Sequence, residues 1–275
     1  MGTLPDFLII GAAKSGTTTL YSLLRSHPHV RAAVQREIHY FDKNFEKGVE
    51  WYRGHFQPGT KRGGRRTITG ESSPAYLSVK PVPQRVAELL PEVRLIALLR
   101  NPVDRAYSHY QQAVKHGRVH HSFEEVIEAE ISRSSGSKPY LARGIYVDQL
   151  KRWHRCFDRE QLLVLKSEDF FGNTPDTLKR VLNFLALPEW KPDHLPVKNK
   201  GNYTQQMSPE TRARLRDYFE PHNQRLYDYL GTDFGWERSL KPAGEMAMPE
   251  AGGGPLPHDQ QTASERPWWR RMFGG

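Results

Sequence analysis

Apolar residues in this chain fall into two kinds of run. Short, nearly unbroken stretches lie within residues 4–10, 93–102 and 161–170 ("LPDFLII", "VRLIALLRNP", "QLLVLKSEDF"), the pattern of strands buried on both faces. A further short strand and a turn are expected in "TITGESSPAYL", residues 67–77. Elsewhere apolar positions recur every three or four residues and predict helices at 17–26, 82–91 and 103–116, the second stopped by Pro91. "SFEEVIEAEI" is another, and "YVDQLKRWHRCF" places Val147, Leu150 and Trp153 or His154 on one face. "TPDTLKRVLNFLAL" reads as a helix capped by Thr174 with Pro175 in its first turn. "SPETRARLRDYFEPHNQRLYDYL" supplies a long helical region, interrupted or kinked near Pro221, and "SRSSGSKP" a flexible break. There is no internal repeat. Strands alternating with helices predict an α/β layer fold around a parallel sheet.

From residue 242 the pattern dissolves into "PAGEMAMPEAGGGPLPHDQQTASERP", rich in Pro, Gly and polar residues, and disorder is expected there. The reading is therefore a folded domain over 1–238 and a tail over 239–275. The tail ends in "RPWWRRMFGG", where paired tryptophans between arginines suit a membrane surface, a partner groove, or packing back on the body.

At 275 residues the chain can bury one substantial core. Its formal charge is +9, and the tail is neutral, with Lys241, Arg266, Arg270 and Arg271 against Glu245, Glu250, Asp259 and Glu265. The excess sits on the folded part, which suits anionic ligands or is simply a basic surface. Cys156 is the single cysteine, so no intrachain disulfide forms. Set between Trp153 and Phe157, it is expected as a packed helix thiol. No run is long enough to span a bilayer, and the first apolar run lacks a basic flank and leads into a glycine loop. No signal peptide is expected, and a cytoplasmic location is.

That loop carries the first chemistry. In "FLIIGAAKSGTTTLYSLL" a strand pattern passes through glycines into a helix pattern, the layout of a phosphate-cradling loop. In the triphosphatase form G-x-x-x-x-G-K-[ST], Gly11 and Gly16 take the glycines, Thr17 the lysine position and Thr18 the hydroxyl position. The lysine stands upstream, at Lys14. A magnesium triphosphate site also needs an acid at the end of a neighbouring strand. Here the strand at 93–102 ends in Arg100, which repels a metal and attracts a phosphate. The loop thus reads as one that holds a nucleotide phosphate with cationic side chains and no metal.

"IIGAAKSGTTTL", "REIHYFD", "GESSPAYL", "LLRNPVDRAYSHY" and "KNKGNY" follow one another in this chain. In that order they resemble the sulfotransferases that use PAPS (3′-phosphoadenosine 5′-phosphosulfate), above all the heparan-sulfate 3-O- and N-sulfotransferase type and its bacterial relatives. The resemblance runs from about Phe7 to Trp236. It implies a P-loop NTPase-like three-layer fold, a central parallel sheet flanked by helices, and sulfuryl transfer from PAPS without a metal. On the matching positions, Lys14, Ser15, Gly16, Thr17 and Thr18 surround the 5′-phosphosulfate, with Lys14 on the bridging oxygen. Arg100 and Ser108 bind the 3′-phosphate, and Lys200, Gly201 and Asn202 form a loop that closes over it. Glu37, His39 and Asp42 line the acceptor hydroxyl. The match makes Glu37 the general base, with His39 positioning the hydroxyl and Asp42 orienting the pair. His39 remains a rival base, since small-molecule sulfotransferases use a histidine. If the segment is extended, Glu37 and His39 face the same way.

Two places depart from the heparan-type pattern. Ser72 and Ser73 stand in the segment where a second lysine is common, and Thr18 where an arginine is. Both changes remove positive charge and leave the acceptor open: glycan, lipid, alcohol or phenol, with an amine as the lesser choice. Plainer readings stand beside the sharp ones: a solvated Lys14, an Arg100–Asp104 pair, a surface Glu37 and a packed His39. "KRGGRRTI" is expected as an exposed basic loop, though it can guide an anionic acceptor. His120 and His121 lack a third metal ligand at a usable spacing. Trp51, Tyr52 and Phe56 are either core or an acceptor-stacking wall, and Tyr146 matches an acceptor-contacting position. The rival functions are a magnesium-dependent nucleotide kinase and a non-catalytic binder of sulfated glycans. No nucleic-acid-binding motif is present.

Overall fold

The computed structural model describes residues 2–133, 138–194 and 206–237. Lys200, Gly201, Asn202, the tail and residues 134–137 of the break in "SRSSGSKP" lie outside the described residues.

The chain begins with β1 (Phe7–Gly11), α1 (Thr17–Ser26) and β2 (Val30–Ala32), then two short helices, α2 (Tyr40–Lys43) and α3 (Gly48–Arg53). A hairpin of β3 (Lys61–Arg62) and β4 (Arg65–Arg66) precedes β5 (Ile68–Ser72), α4 (Val82–Leu89), β6 (Arg94–Leu99) and α5 (Pro102–Lys115). After these come α6 (Phe123–Ser132), α7 (Tyr146–Trp153), β7 (Leu162–Lys166), α8 (Ser167–Gly172), α9 (Thr174–Phe184) and α10 (Pro209–Leu230). Five strands form one sheet in the order β2-β5-β1-β6-β7, every pairing parallel.

Alternation along the strands sorts side chains onto the two faces. From β1, Phe7 and Ile9 pack with Leu20, Leu24, Leu178 and Val181 of α1 and α9. Leu8 and Ile10 point the other way, onto Val82, Val86, Leu150 and Trp153 of α4 and α7. A third cluster, Ala106, Tyr110, Phe123, Ile127, Leu215 and Phe219, joins α5, α6 and α10. This is the expected layered α/β architecture. β1 lies between β5 and β6, so the crossover from β5 to β6 passes over it, and the loops after these three strands open at one edge of the sheet. In open parallel sheets that is where ligands bind.

Several local expectations change. The cap of α9 is Asn173, whose side chain accepts from Asp176 N–H; Thr174 is already helical and bonds back to Phe170 O. α10 is continuous through Pro221, because Pro221 lies on its exposed side while Leu215, Phe219 and Leu226 anchor the helix on either flank. Cys156 is exposed: α7 stops at Trp153, so the thiol falls in the turn beyond it. "KRGGRR" is a tight two-stranded ribbon, turned by Gly63 and Gly64 with φ of 54° and 78°. The edge strand β2, at three residues, is too short to leave a periodic signal.

Candidate active site

The loop after β1 is built around Gly16. Its φ of 94° is left-handed, and a Cβ there would come within 2.8 Å of the Phe171 ring. Gly16 caps α1 without a side-chain bond, and no acid occupies the helix's first turn. The positive end of the α1 dipole is therefore left for an outside anion. Ser15 is buried, its carbonyl accepting from Ser167 Oγ at 2.9 Å, while its own hydroxyl has no partner among the described residues. Thr17 is buried and Thr18 exposed.

Lys14 is half-buried, with a left-handed backbone at φ 75°. Burial, and then the charges of Arg100 and Lys115, hold its ammonium below the ordinary lysine value. Arg100 follows β6 and donates from Nη1 to Lys14 O at 3.2 Å. Its own carbonyl accepts from the Tyr146 hydroxyl at 2.9 Å. The next residue, Asn101, is pinned by Glu168, which accepts its N–H at 2.9 Å. The Arg100–Asp104 pair does not form, for Asp104 bonds Arg212 at 2.9 Å. Ser108 is buried on α5. Two adjacent cations, an open helix N-terminus and an unpartnered buried hydroxyl fit the phosphates of a nucleotide donor.

Across the edge of the sheet lies the second group. The segment 35–39 is not extended: His39 is left-handed, φ 54°, and starts α2. The bend brings Glu37 and His39 together, with Nε2 of His39 3.4 Å from Glu37 Oε2. Nδ1 of the same ring is 3.0 Å from Asp42 Oδ2. Hydrogen bonds to Asp42 and then Glu37 raise the imidazole to about 9, so it carries its proton at neutral pH. The bond from His39 holds Glu37 below the usual carboxylate range, Arg36 adding to this at 3.6 Å. Glu37 is half-exposed and ionised, and neither a lone surface acid nor a packed neutral histidine describes the pair.

The two groups share neighbours. Ile9 of β1 pairs with Ser72 of β5, so the Lys14 loop and Ser73, which accepts His39 N–H at 3.1 Å, leave adjacent strand ends. His109 on α5 is driven down to about 3 by burial and by the charges of Arg105, Arg143 and Lys14. Arg143 in turn feels the charge of Asp42.

Other candidates resolve differently. Tyr52 and Phe56 are core, and Trp51 is half-buried under Lys47 at 4.5 Å. Tyr146 is buried and holds Arg100, so it does not face an acceptor. His120 is exposed, and His121 lies 3.8 Å from Glu125. Glu71 and Arg143 were missed; the trace of Glu71 was an acid inside an otherwise β-type run, "TITGES".

A sulfotransferase-domain family model matches residues 4–195. The chain belongs to the sulfotransferase family. It is 33% identical over 261 residues to heparan sulfate glucosamine 3-O-sulfotransferase 3B1 of Mus musculus, covering 85% of this chain and 65% of that protein. It is 30% identical over 256 residues to heparan sulfate glucosamine 3-O-sulfotransferase 6 of Homo sapiens, covering 84% and 73%. This chain thus spans just under two thirds of the first relative. Among solved structures, a sulfotransferase from Alicyclobacillus acidocaldarius superposes with a TM-score of 0.72 at 30% identity, over 86% of this chain and 99% of that one. The sulfotransferase fold accounts for the layout: a parallel sheet with a glycine-bearing loop between β1 and α1. Among the described residues no helix is long and apolar enough to cross a membrane.

Proposed function

We propose that this sulfotransferase-family chain moves a sulfuryl group from PAPS to a hydroxyl of a glycan or another small acceptor, releasing 3′,5′-ADP. The observation that carries the reading is His39, clamped between Glu37 and Asp42 beside a cationic phosphate loop. A histidine that keeps its proton to about 9 has no free lone pair at neutral pH, and Glu37 is left as the ionised base.

In this reading Lys14, Ser15, Gly16, Thr17 and Thr18 hold the 5′-phosphosulfate, and Arg100 and Ser108 hold the 3′-phosphate, with Lys200, Gly201 and Asn202 closing over it. PAPS supplies a sulfuryl group already activated by its bond to phosphate. Glu37 takes the proton of the acceptor hydroxyl as its oxygen bonds to sulfur. Lys14 neutralises the charge that appears on the leaving phosphate oxygen as the old bond breaks. His39, a cation with its two N–H groups on Glu37 and Asp42, positions the Glu37 carboxylate toward the acceptor hydroxyl, and Asp42 fixes its ring. No metal enters this scheme.

The relatives' names support a glycan hydroxyl, whereas Ser72, Ser73 and Thr18 argue against a heavily sulfated chain. The domain is taken as 1–238, without nucleic-acid partners, and the single Cys156 suits the cytoplasm. The test is transfer from labelled PAPS to panels of glycans, alcohols and phenols by wild type and Glu37→Ala. Glu37→Ala should lose about 10²–10⁴-fold in turnover and keep its affinity for 3′,5′-ADP. Turnover retained in that variant would move the base to His39.

A further inference from the structure

We propose that Glu71 is the positioning residue of the acceptor-activating segment: its buried carboxylate winds residues 38–41 into the conformation that sets His39 between Glu37 and Asp42.

Glu71 lies within β5, paired with Leu8 of β1, and is fully buried. Four neutral donors converge on it: Ile38 N–H at 3.3 Å, Ser73 Oγ at 2.6 Å, Tyr52 OH at 2.8 Å and Tyr76 OH at 3.0 Å. Two of these hydroxyls extend its reach. Ser73 gives its one proton to Glu71 and accepts His39 N–H at 3.1 Å. Tyr76 likewise accepts Phe41 N–H at 3.4 Å. The main-chain donors of residues 38, 39 and 41 are thus organised by one carboxylate, directly or through a single hydroxyl.

This arrangement explains the backbone of His39. A left-handed conformation costs a residue with a Cβ about 1–2 kcal/mol and persists only where its surroundings impose it. Successive N–H groups around such a turn form a concave nest that suits an anion. Here the Glu71 carboxylate takes Ile38 N–H directly, and the hydroxyls of Ser73 and Tyr76 take those of His39 and Phe41. The opposite side is fastened by Asn44, whose Nδ2 donates to Ile38 O at 3.0 Å and His39 O at 3.3 Å. Released from Glu71, the segment can relax to the extended form its sequence suggests, and the imidazole leaves its two carboxylates. Burial pushes the Glu71 carboxyl above the ordinary carboxylate value while its four donors oppose this, and such a group is costly for stability alone, since an apolar residue would serve the core as well.

The experiment follows the His39 ring by NMR titration in wild type, Glu71→Gln and Ser73→Ala, with kcat and 3′,5′-ADP affinity measured in parallel. Glutamine turns one acceptor oxygen into an amide donor beside hydroxyls that also donate. Ser73→Ala removes the link from Glu71 to His39 N–H, and with it one of the four donors to Glu71, but leaves the carboxylate in place. Wild-type His39 should titrate near 9 and both variants should fall toward 6.5. Their kcat should drop about tenfold or more, with 3′,5′-ADP affinity unchanged. The control is Glu130→Gln, another buried carboxylate, which accepts from Tyr140 and Leu141 N–H. It should lower the melting temperature and leave the His39 titration in place. A wild-type titration midpoint in folded Ser73→Ala, which carries the test if Glu71→Gln does not fold, overturns the proposal. The kinetic arm rests on the sulfuryl-transfer reading. Absence of transfer by wild type would overturn that reading, while the titration still decides the role of Glu71.

Discussion

His39 presents Nε2 to Glu37 at 3.4 Å, and its hydrogen bonds to Asp42 and Glu37 push the imidazole up to about 9. Glu37 must be ionised and His39 protonated for the proposed reaction, so turnover should have two limbs. It should decline as pH rises through about 9 and again as pH falls below 4.5, the ordinary carboxylate value from which Glu37 is lowered. Asp42 is the larger cause of the raised histidine. Asp42→Asn should therefore move the alkaline limb downward and leave the acid limb nearly fixed, as read from kcat against pH at saturating donor and acceptor.

The same histidine links pH to stability. Its folded value of about 9 lies above the ordinary 6.5, so the folded form binds the proton more tightly. That contribution is complete below 6.5, shrinks as pH rises through 9, and is gone above it. Melting temperature in wild type should fall across this window more than in His39→Gln. Parallel curves for the two proteins would show that the ring gains nothing from its carboxylates.

Gly16 tests the proposed phosphate-holding role of the loop after β1. Alanine there meets both a left-handed backbone, worth about 1–2 kcal/mol, and the Phe171 ring at 2.8 Å. For a domain of this size each kcal/mol lowers the melting point by roughly 2–4 °C. Gly16→Ala should lose several degrees and weaken 3′,5′-ADP binding. Gly63→Ala in the basic hairpin has φ 54° but open space around it, and should lose less with no change in nucleotide binding.

What the sequence disclosed about these elements follows from the range of the forces involved. The strands at β1, β6 and β7 and the helix after Gly16 are written in local apolar periodicity and glycine placement, and they were legible. The three-residue β2 owes its existence to pairing with β5, and α10 keeps its line through Pro221 because packed neighbours outweigh one missing N–H donor. At the candidate site, Lys14, Arg100, Glu37, His39 and Asp42 stand out in the sequence because their blocks carry family order, and their roles remain proposals. Glu71 was not, since its meaning depends on hydroxyls from Tyr52, Ser73 and Tyr76 that only the fold assembles. The turn at His39 was missed for the same reason.

Arg100 and Lys14 give the last prediction. They are adjacent cations, Arg100 donating to Lys14 O, and Lys14 is lowered by burial and by that neighbour's charge. Such a pair is uncomfortable without an anion and becomes favourable with one. Charge-assisted bonds to phosphate are worth roughly twice neutral ones. Arg100→Ala should therefore weaken 3′,5′-ADP by about tenfold or more, a loss of about 1.4 kcal/mol or greater. Asp104→Ala should leave the affinity unchanged, because Asp104 is engaged with Arg212 and not with Arg100. Wild type should gain several degrees of melting temperature at 3′,5′-ADP concentrations a hundredfold above its Kd, as mass action requires, and Arg100→Ala should gain less at that same concentration. Calorimetry at two salt concentrations completes the test, since salt weakens contacts between half-buried cations and phosphate, though less than exposed ones. An Arg100→Ala protein that binds 3′,5′-ADP as wild type does would remove Arg100 from the nucleotide site.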